Sequence, residues 1–288
     1  MKLQGIFADL TTPFDHTGAL YRTKIQHNLA KWNLTMLAGY VVCGFSGEGA
    51  LLSADERVEM WAQTAARAGK DRLLIGGLDS PGVHESVALA GRAAELGYAA
   101  VLAETPHYDA AAPPGLPLLY YRALADRSPV PVLVANRPRV TGIDLGAEQL
   151  VELSQHPNIA GVADFSGDVE KVQRVSRQTS LLAGCEQTLW RSLRAGASGA
   201  VLAMAAAAPY ATIALWEAFR TREEEAGLDW QARIANPAAL ITTSHGVPGL
   251  KCALDTNGYY GGPPRLPSSV PSPAVRTEIA EAFRDLKG

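Results

Sequence analysis

The sequence predicts an (α/β)8 TIM barrel with a C-terminal helical appendage. Short apolar runs bounded by Gly, Pro, Asp or Ser alternate with amphipathic segments, and the pair recurs eight times before about residue 220. The strand runs are apolar throughout. That marks strands buried on both faces, as in a parallel sheet covered by helices. Eight such units in about 220 residues favour a closed barrel over an open sheet. No Gly-x-Gly-x-x-Gly follows the first strand and no Gly-x-x-x-x-Gly-Lys-Ser/Thr loop occurs, which counts against dinucleotide and nucleoside-triphosphate folds.

Gly5 to Thr11 is the first predicted strand, ended by Pro13 and the turn from Asp15 to Gly18. Arg22 to Leu37 places Ile25, Leu29, Trp32 and Met36 three to four residues apart, as an amphipathic helix requires. Gly39 to Phe45 is the second strand. Ser53 and Glu56 form a capping box that opens a helix running to about Ala68. Strands follow at 73–78, 99–105, 130–136, 159–163, 181–185 and 200–205. Helices are predicted over 83–96, near Tyr120 and Leu124, and over 147–154, 169–178, 187–195 and 209–220. The barrel is thus assigned to 1–220. Residues 221–288 are assigned to a helical region packed on it, with helices at 230–241, 249–254 and 274–287.

The chain has 288 residues, is 47% hydrophobic and carries a net charge of −3, so it offers no basic footprint for nucleic acid or an anionic membrane. Three well-separated cysteines, Cys43, Cys185 and Cys252, give neither a disulfide framework nor a zinc spacing. Cys43 and Cys185 sit in apolar runs and read as buried, inert thiols. The N-terminus has no apolar h-region, and the apolar stretch 195–216 is broken by Pro209, so a cytoplasmic protein without a membrane span is expected.

Barrels of this class place chemistry at the C-terminal rim of the strands. The rim residues are Thr11, Thr12, Ser46, Glu48, Asp79, Thr105, His107, Tyr108, Asn136, Asp164, Ser166 and Glu186. Glu48 is either a general base or a carboxylate that ties down its loop. Asp164 and Glu186 lack the spaced His partners a metal would need, so neither metal nor cofactor is expected.

From end to end the chain resembles the dihydrodipicolinate synthase / N-acetylneuraminate lyase family. The matching pieces are Thr12-Pro13-Phe14, Gly44-Phe45-Ser46-Gly47-Glu48, Thr105-Pro106-His107-Tyr108, Asn136 with Thr141-Gly142, Ser166-Gly167-Asp168, Gly246 to Lys251, and Gly261-Gly262-Pro263. Each is weak alone, but their joint order and spacing is specific. The resemblance implies a homo-oligomer, dimer or tetramer, and class I aldolase chemistry, in which a lysine forms a Schiff base with a 2-oxo acid. It implies that Ser46 and the Gly47 amide hold a small carboxylate ligand and that Tyr108 acts across a subunit interface. It also puts Asn136 and the backbone at Val201 in the site.

The departures fall on the chemistry. Ala163 stands where the lysine should, Ala135 replaces the relay tyrosine, Phe45 replaces a relay threonine, and Val140 replaces a substrate-binding arginine, with Arg137 and Arg139 nearby. Alanine has no amine and cannot form an imine. None of Lys2, Lys24, Lys31, Lys70, Lys171, Lys251 and Lys287 is predicted at the C-terminal end of a strand. By strand alternation, Asp164 points away from the side Ala163 faces and does not replace the lysine. Two readings follow. One is an aldolase-like lyase acting on a 2-oxo acid or sugar acid without an imine. The other is a catalytically inactive ligand-binding or assembly protein descended from a lyase.

Overall fold

A computed structural model of the chain describes residues 3–107 and 115–286. Eight parallel strands close into a barrel in sequence order: β1 (Gly5–Asp9), β2 (Gly39–Val42), β3 (Leu73–Gly77), β4 (Ala100–Glu104), β5 (Val132–Asn136), β6 (Ile159–Asp164), β7 (Leu181–Ala183) and β8 (Gly199–Leu202). β1 pairs with β8 in the register Gly5↔Gly199 and Phe7↔Val201, which shuts the ring. The outer helices are α1 (Arg22–Trp32), α2 (Ala54–Ala65), α3 (Val83–Glu95), α4 (Leu116–Ala125), α5 (Ala147–Ser154), α6 (Val169–Val175), α7 (Leu189–Arg194) and α8 (Pro209–Thr221).

Alternation along the strands sorts their side chains into two cores. Phe7, Val41, Ile75, Leu102, Leu133, Ala163, Leu182 and Val201 form a sealed cluster to which every strand contributes, so they fill the lumen. Their neighbours Ile6, Ala8, Tyr40, Val42, Leu74 and Val101 pack outward against the helices. This parity decides which rim residues look inward.

Several elements stop short of their expected ends, α1 and β8 among them. α1 stops at Trp32 instead of running to Leu37, and Leu34 and Met36 are exposed. The Asn33 carboxamide is used elsewhere: it donates to the Arg67 carbonyl and accepts from the Gly69 amide and the Tyr40 hydroxyl. The eighth strand ends at Leu202, and Met204–Ala207 turns helical in place of strand.

The tail adds α9 (Glu224–Ala239), a π-helical turn (Leu240–Ser244), α10 (Gly246–Thr256) and α11 (Pro273–Ala282). Its polar ties reach the C-terminal side of the barrel. Lys251, almost fully buried, donates to the carbonyls of Thr12 (2.9 Å) and Pro263 (3.0 Å) and pairs with Glu48 at 2.5 Å. Arg265 grips Glu56 through two hydrogen bonds of 2.6 and 2.8 Å, and its backbone amide donates to Glu48. Gln231 donates to the Glu186 carbonyl and accepts from the Trp190 amide. The Glu48 carboxylate therefore holds the tail, through Lys251 and the Arg265 amide. Among the described residues no helix is long and apolar enough to cross a membrane.

Candidate functional site

The residue two places beyond a lumen-facing strand position also faces the barrel axis, one layer nearer the mouth. Phe7 leads in this way to Asp9, Leu102 to Glu104, Ala135 to Arg137 and Ala163 to Phe165. These four side chains close the C-terminal mouth. The Arg137 guanidinium lies over the Phe165 ring, 3.4 Å from its centroid, with the Phe45 ring at 5.1 Å. Its Nε donates to Glu104 Oε1 at 3.1 Å, and Nη2 lies 3.8 Å from Asp9 Oδ2. Phe165 can fold inward because residue 184 is glycine: a Cβ there would stand 2.1 Å from a ring carbon.

Asp9 and Glu104 are buried carboxyls that share one arginine. Burial pushes both above the usual carboxylate range, against the opposing pull of Arg137. Asp9 Oδ2 accepts from the Ser46 hydroxyl at 2.7 Å. Asp9 Oδ1, Glu104 Oε2 and Arg137 Nη2 have no hydrogen-bond partner among the described residues. Buried polar atoms of this kind are rare in folded proteins. Their clustering marks the mouth as a site.

Above this layer lies a cleft of about 330 Å³, bounded by Asp9, Phe45, Ser46, Arg137, Arg139, Ser166, Cys185 and Glu186, and by Ile241 to Thr243 of the π-helical turn. Glu186 opens the short turn after β7. Its Oε1 accepts from the amides of Ala203 (3.0 Å) and Met204 (3.3 Å). Burial raises its pKa to about 7, although those amides and Arg137 favour the charged form.

The structure distributes the expected site residues unevenly. Ser46 and Phe45 line the cleft. The Gly47 amide is already engaged with the Gly44 carbonyl at 3.0 Å. Ala135, Ala163 and Val201 do not line the open cleft. They are fully buried and pack with Phe165 in the lumen cluster. Asn136 also needs correction, since it shares a strand face with Val134 and not with Ala135. Its Nδ2 donates to Asp144 (2.9 Å) and Asp164 (2.6 Å), and its Oδ1 accepts from the Leu145 amide, so it braces the β5 and β6 loops. Asp164 points the same outward way and accepts from Ser166, as alternation requires. Tyr108 lies outside the described residues.

Cys43 is buried and its thiol is pushed up to about 12, in keeping with an inert side chain. Cys185, expected to be buried too, is half-buried and edges the cleft. Among the described residues no three His, Cys, Asp or Glu side chains are grouped to hold a metal ion.

No described lysine lines the cleft. Lys251 is tied to Glu48, Lys171 is paired with Asp144 outside the lumen, and Lys24, Lys31 and Lys70 sit on or beside outer helices. Asp9 and Glu104 escaped notice in the sequence because they fell inside the strands expected over 5–11 and 99–105, and Phe165 because it fell in the loop after 159–163. The signal that finds them is parity, counted two residues on from a lumen position.

The architecture is shared with known proteins, some of which also match the chain in sequence. A 4-hydroxy-tetrahydrodipicolinate synthase of Stenotrophomonas maltophilia (strain K279a) is 34% identical over 238 residues, covering 81% of this chain and 80% of the relative. The structure of a chloride-inhibited dihydrodipicolinate synthase from Acinetobacter baumannii, complexed with pyruvate, superposes with a TM-score of 0.92 at 25% identity, covering 98% of each chain. A sialic acid aldolase of Ruminococcus gnavus shares the fold, with a TM-score of 0.91 at 22% identity and coverage of 99% of this chain and 98% of that one. The profile of the dihydrodipicolinate synthetase family matches residues 2–285, and the chain belongs to that family.

Proposed function

We propose that this protein binds a small 2-oxo acid or sugar acid in the cleft at the barrel mouth and acts on it without forming a Schiff base. The observation that carries the reading is the mouth itself: Ala163 is sealed in the lumen beneath Phe165, and the group stacked on that ring is the Arg137 guanidinium, not an amine. A guanidinium pairs with a carboxylate through a planar fork and cannot condense with a ketone at neutral pH. Arg139, exposed on the rim and donating to the Thr243 hydroxyl, adds a second cation. Ser46 and Phe45 are the expected ligand contacts that remain at the cleft. The pyruvate complex of the Acinetobacter relative supports a 2-oxo acid as one ligand class. The family resemblance supports a homo-oligomer, dimer or tetramer, in the cytoplasm.

A second reading, a binding protein without catalysis, is favoured by the sealing of the lumen floor at Ala135, Ala163 and Val201. Both readings require carboxylate binding. Thermal unfolding with pyruvate, 2-oxobutyrate, gluconate and N-acetylneuraminate tests it. A ligand present at 100 times its Kd stabilises by about 2.7 kcal/mol. At least one of these acids is expected to raise Tm. Arg139→Ala is expected to weaken its binding about tenfold, as the loss of a charge-assisted hydrogen bond would. No shift with any of the four would contradict the reading.

A further inference from the structure

We propose that Glu186 is the general base of the cleft, taking a proton from the carbon beside the keto group of a bound 2-oxo acid, while Arg137 stabilises the enolate that forms. The proposal rests on the reading of the cleft as a 2-oxo acid site. Elimination among the rim carboxyls selects Glu186. Asp79 does not line the cleft, Glu48 is consumed by Lys251, Glu104 by Arg137, and Asp164 by Asn136 and Ser166. Asp9 accepts from Ser46 and faces Arg137. Glu186 lines the cleft, yet among the described residues no side chain donates to its carboxyl and no cation pairs with it. Two backbone amides hold Oε1, so the group is aimed although it lies in no ion pair.

The step balances without a cofactor. The C–H bond at C3 breaks, and its electron pair becomes the C2–C3 double bond of the enolate. The carbonyl π pair moves to the C2 oxygen, and the proton passes to Glu186. Reversal returns a hydron to C3. An oxyanion at C2 needs a cation, and the Arg137 side chain lines the cleft. With a pKa raised to about 7, Glu186 is present in both protonation states near neutrality, as a base that must be recycled requires. The charged and titratable groups around it are Asp9 from β1, Arg137 and Arg139 from the loop after β5, and the adjacent Cys185. The tail contributes uncharged Gln231 and the threonines of the π-helical turn.

The test is exchange of the C3 protons of pyruvate, followed by proton NMR in D2O, alongside calorimetric binding. The native protein should accelerate loss of the methyl signal, with a rate that rises through an apparent pKa near 7 and then levels. Glu186→Gln should slow exchange by about 100-fold or more, at an affinity for pyruvate within a few-fold of native. Exchange by Glu186→Gln at the native rate, a flat pH profile in the native protein, or native protein that binds pyruvate without accelerating exchange would each overturn the proposal. The pH profile needs no variant to fold. Failure of pyruvate and 2-oxobutyrate to bind at all would overturn the 2-oxo acid reading beneath it, and the proposal with it.

Discussion

Lys251→Met is expected to lower the unfolding free energy by about 3–5 kcal/mol, the cost of leaving one member of a buried ion pair without its partner. Methionine matches the lysine stem in length, so packing changes little and the electrostatic loss dominates. Glu48 would remain almost fully buried without its cation, and two carbonyls, of Thr12 and Pro263, would lose their donor. Burial already depresses the Lys251 pKa, and Glu48 is the main group holding the proton on. Urea denaturation measures the effect. Adding Glu48→Gln should recover part of the loss, because the orphaned charge is removed along with its partner. A loss below about 1 kcal/mol would mean that the pair is solvated and that the tail is held by other contacts.

Glu186→Gln is expected to be stabilising, and the gain should grow with pH. The folded-state pKa of Glu186 is raised from 4.5 to about 7, so folding favours the protonated form. The stability associated with that proton is fully present below pH 4.5 and is lost as pH rises through about 7. The shift of about 2.5 units corresponds to about 3 kcal/mol by pH 8. Glutamine carries no titrating proton and escapes this loss. The difference in unfolding free energy between variant and native protein should therefore rise by about 3 kcal/mol from pH 4.5 to pH 8. Denaturant curves at a series of pH values measure it, and a difference independent of pH would show that Glu186 is not a buried titrating group.

The fold was legible because two periodicities act over long stretches. Fully apolar strand runs and helices with apolar positions three to four residues apart placed all eight units, and the elements that strayed did so at their ends. At the end of α1, Leu34 and Met36 continue a helical pattern in sequence, but the Asn33 side chain engages Arg67, in the turn after α2, and Tyr40 of β2, and the helix stops. Such a competing bond joins segments far apart in the chain and leaves no local trace.

The site was legible as a loss. Ala163, Ala135 and Phe45 stand where the resemblance puts the family's lysine, tyrosine and threonine, so it implies missing chemistry there. The replacement was harder to read. Asp9, Glu104 and Arg137 come from β1, β4 and the loop after β5, and nothing in their separate contexts says that they meet. Asn136 misled because a matching residue type was taken as a matching role, whereas its carboxamide is spent on Asp144, Asp164 and Leu145. Phe165 needs Gly184 for its inward position, a requirement visible only once both are placed.

The central claim is that a family barrel has exchanged its imine-forming amine for a guanidinium flanked by carboxyls. Incubation with pyruvate and borohydride, followed by intact-mass and peptide mass spectrometry, tests it most directly. Reduction traps any imine as a stable secondary amine on lysine. The account predicts no adduct on any lysine of the barrel under conditions in which a Schiff-base member of the family is fully labelled. A single stoichiometric pyruvate adduct that maps to one lysine and is blocked by a competing 2-oxo acid would contradict it.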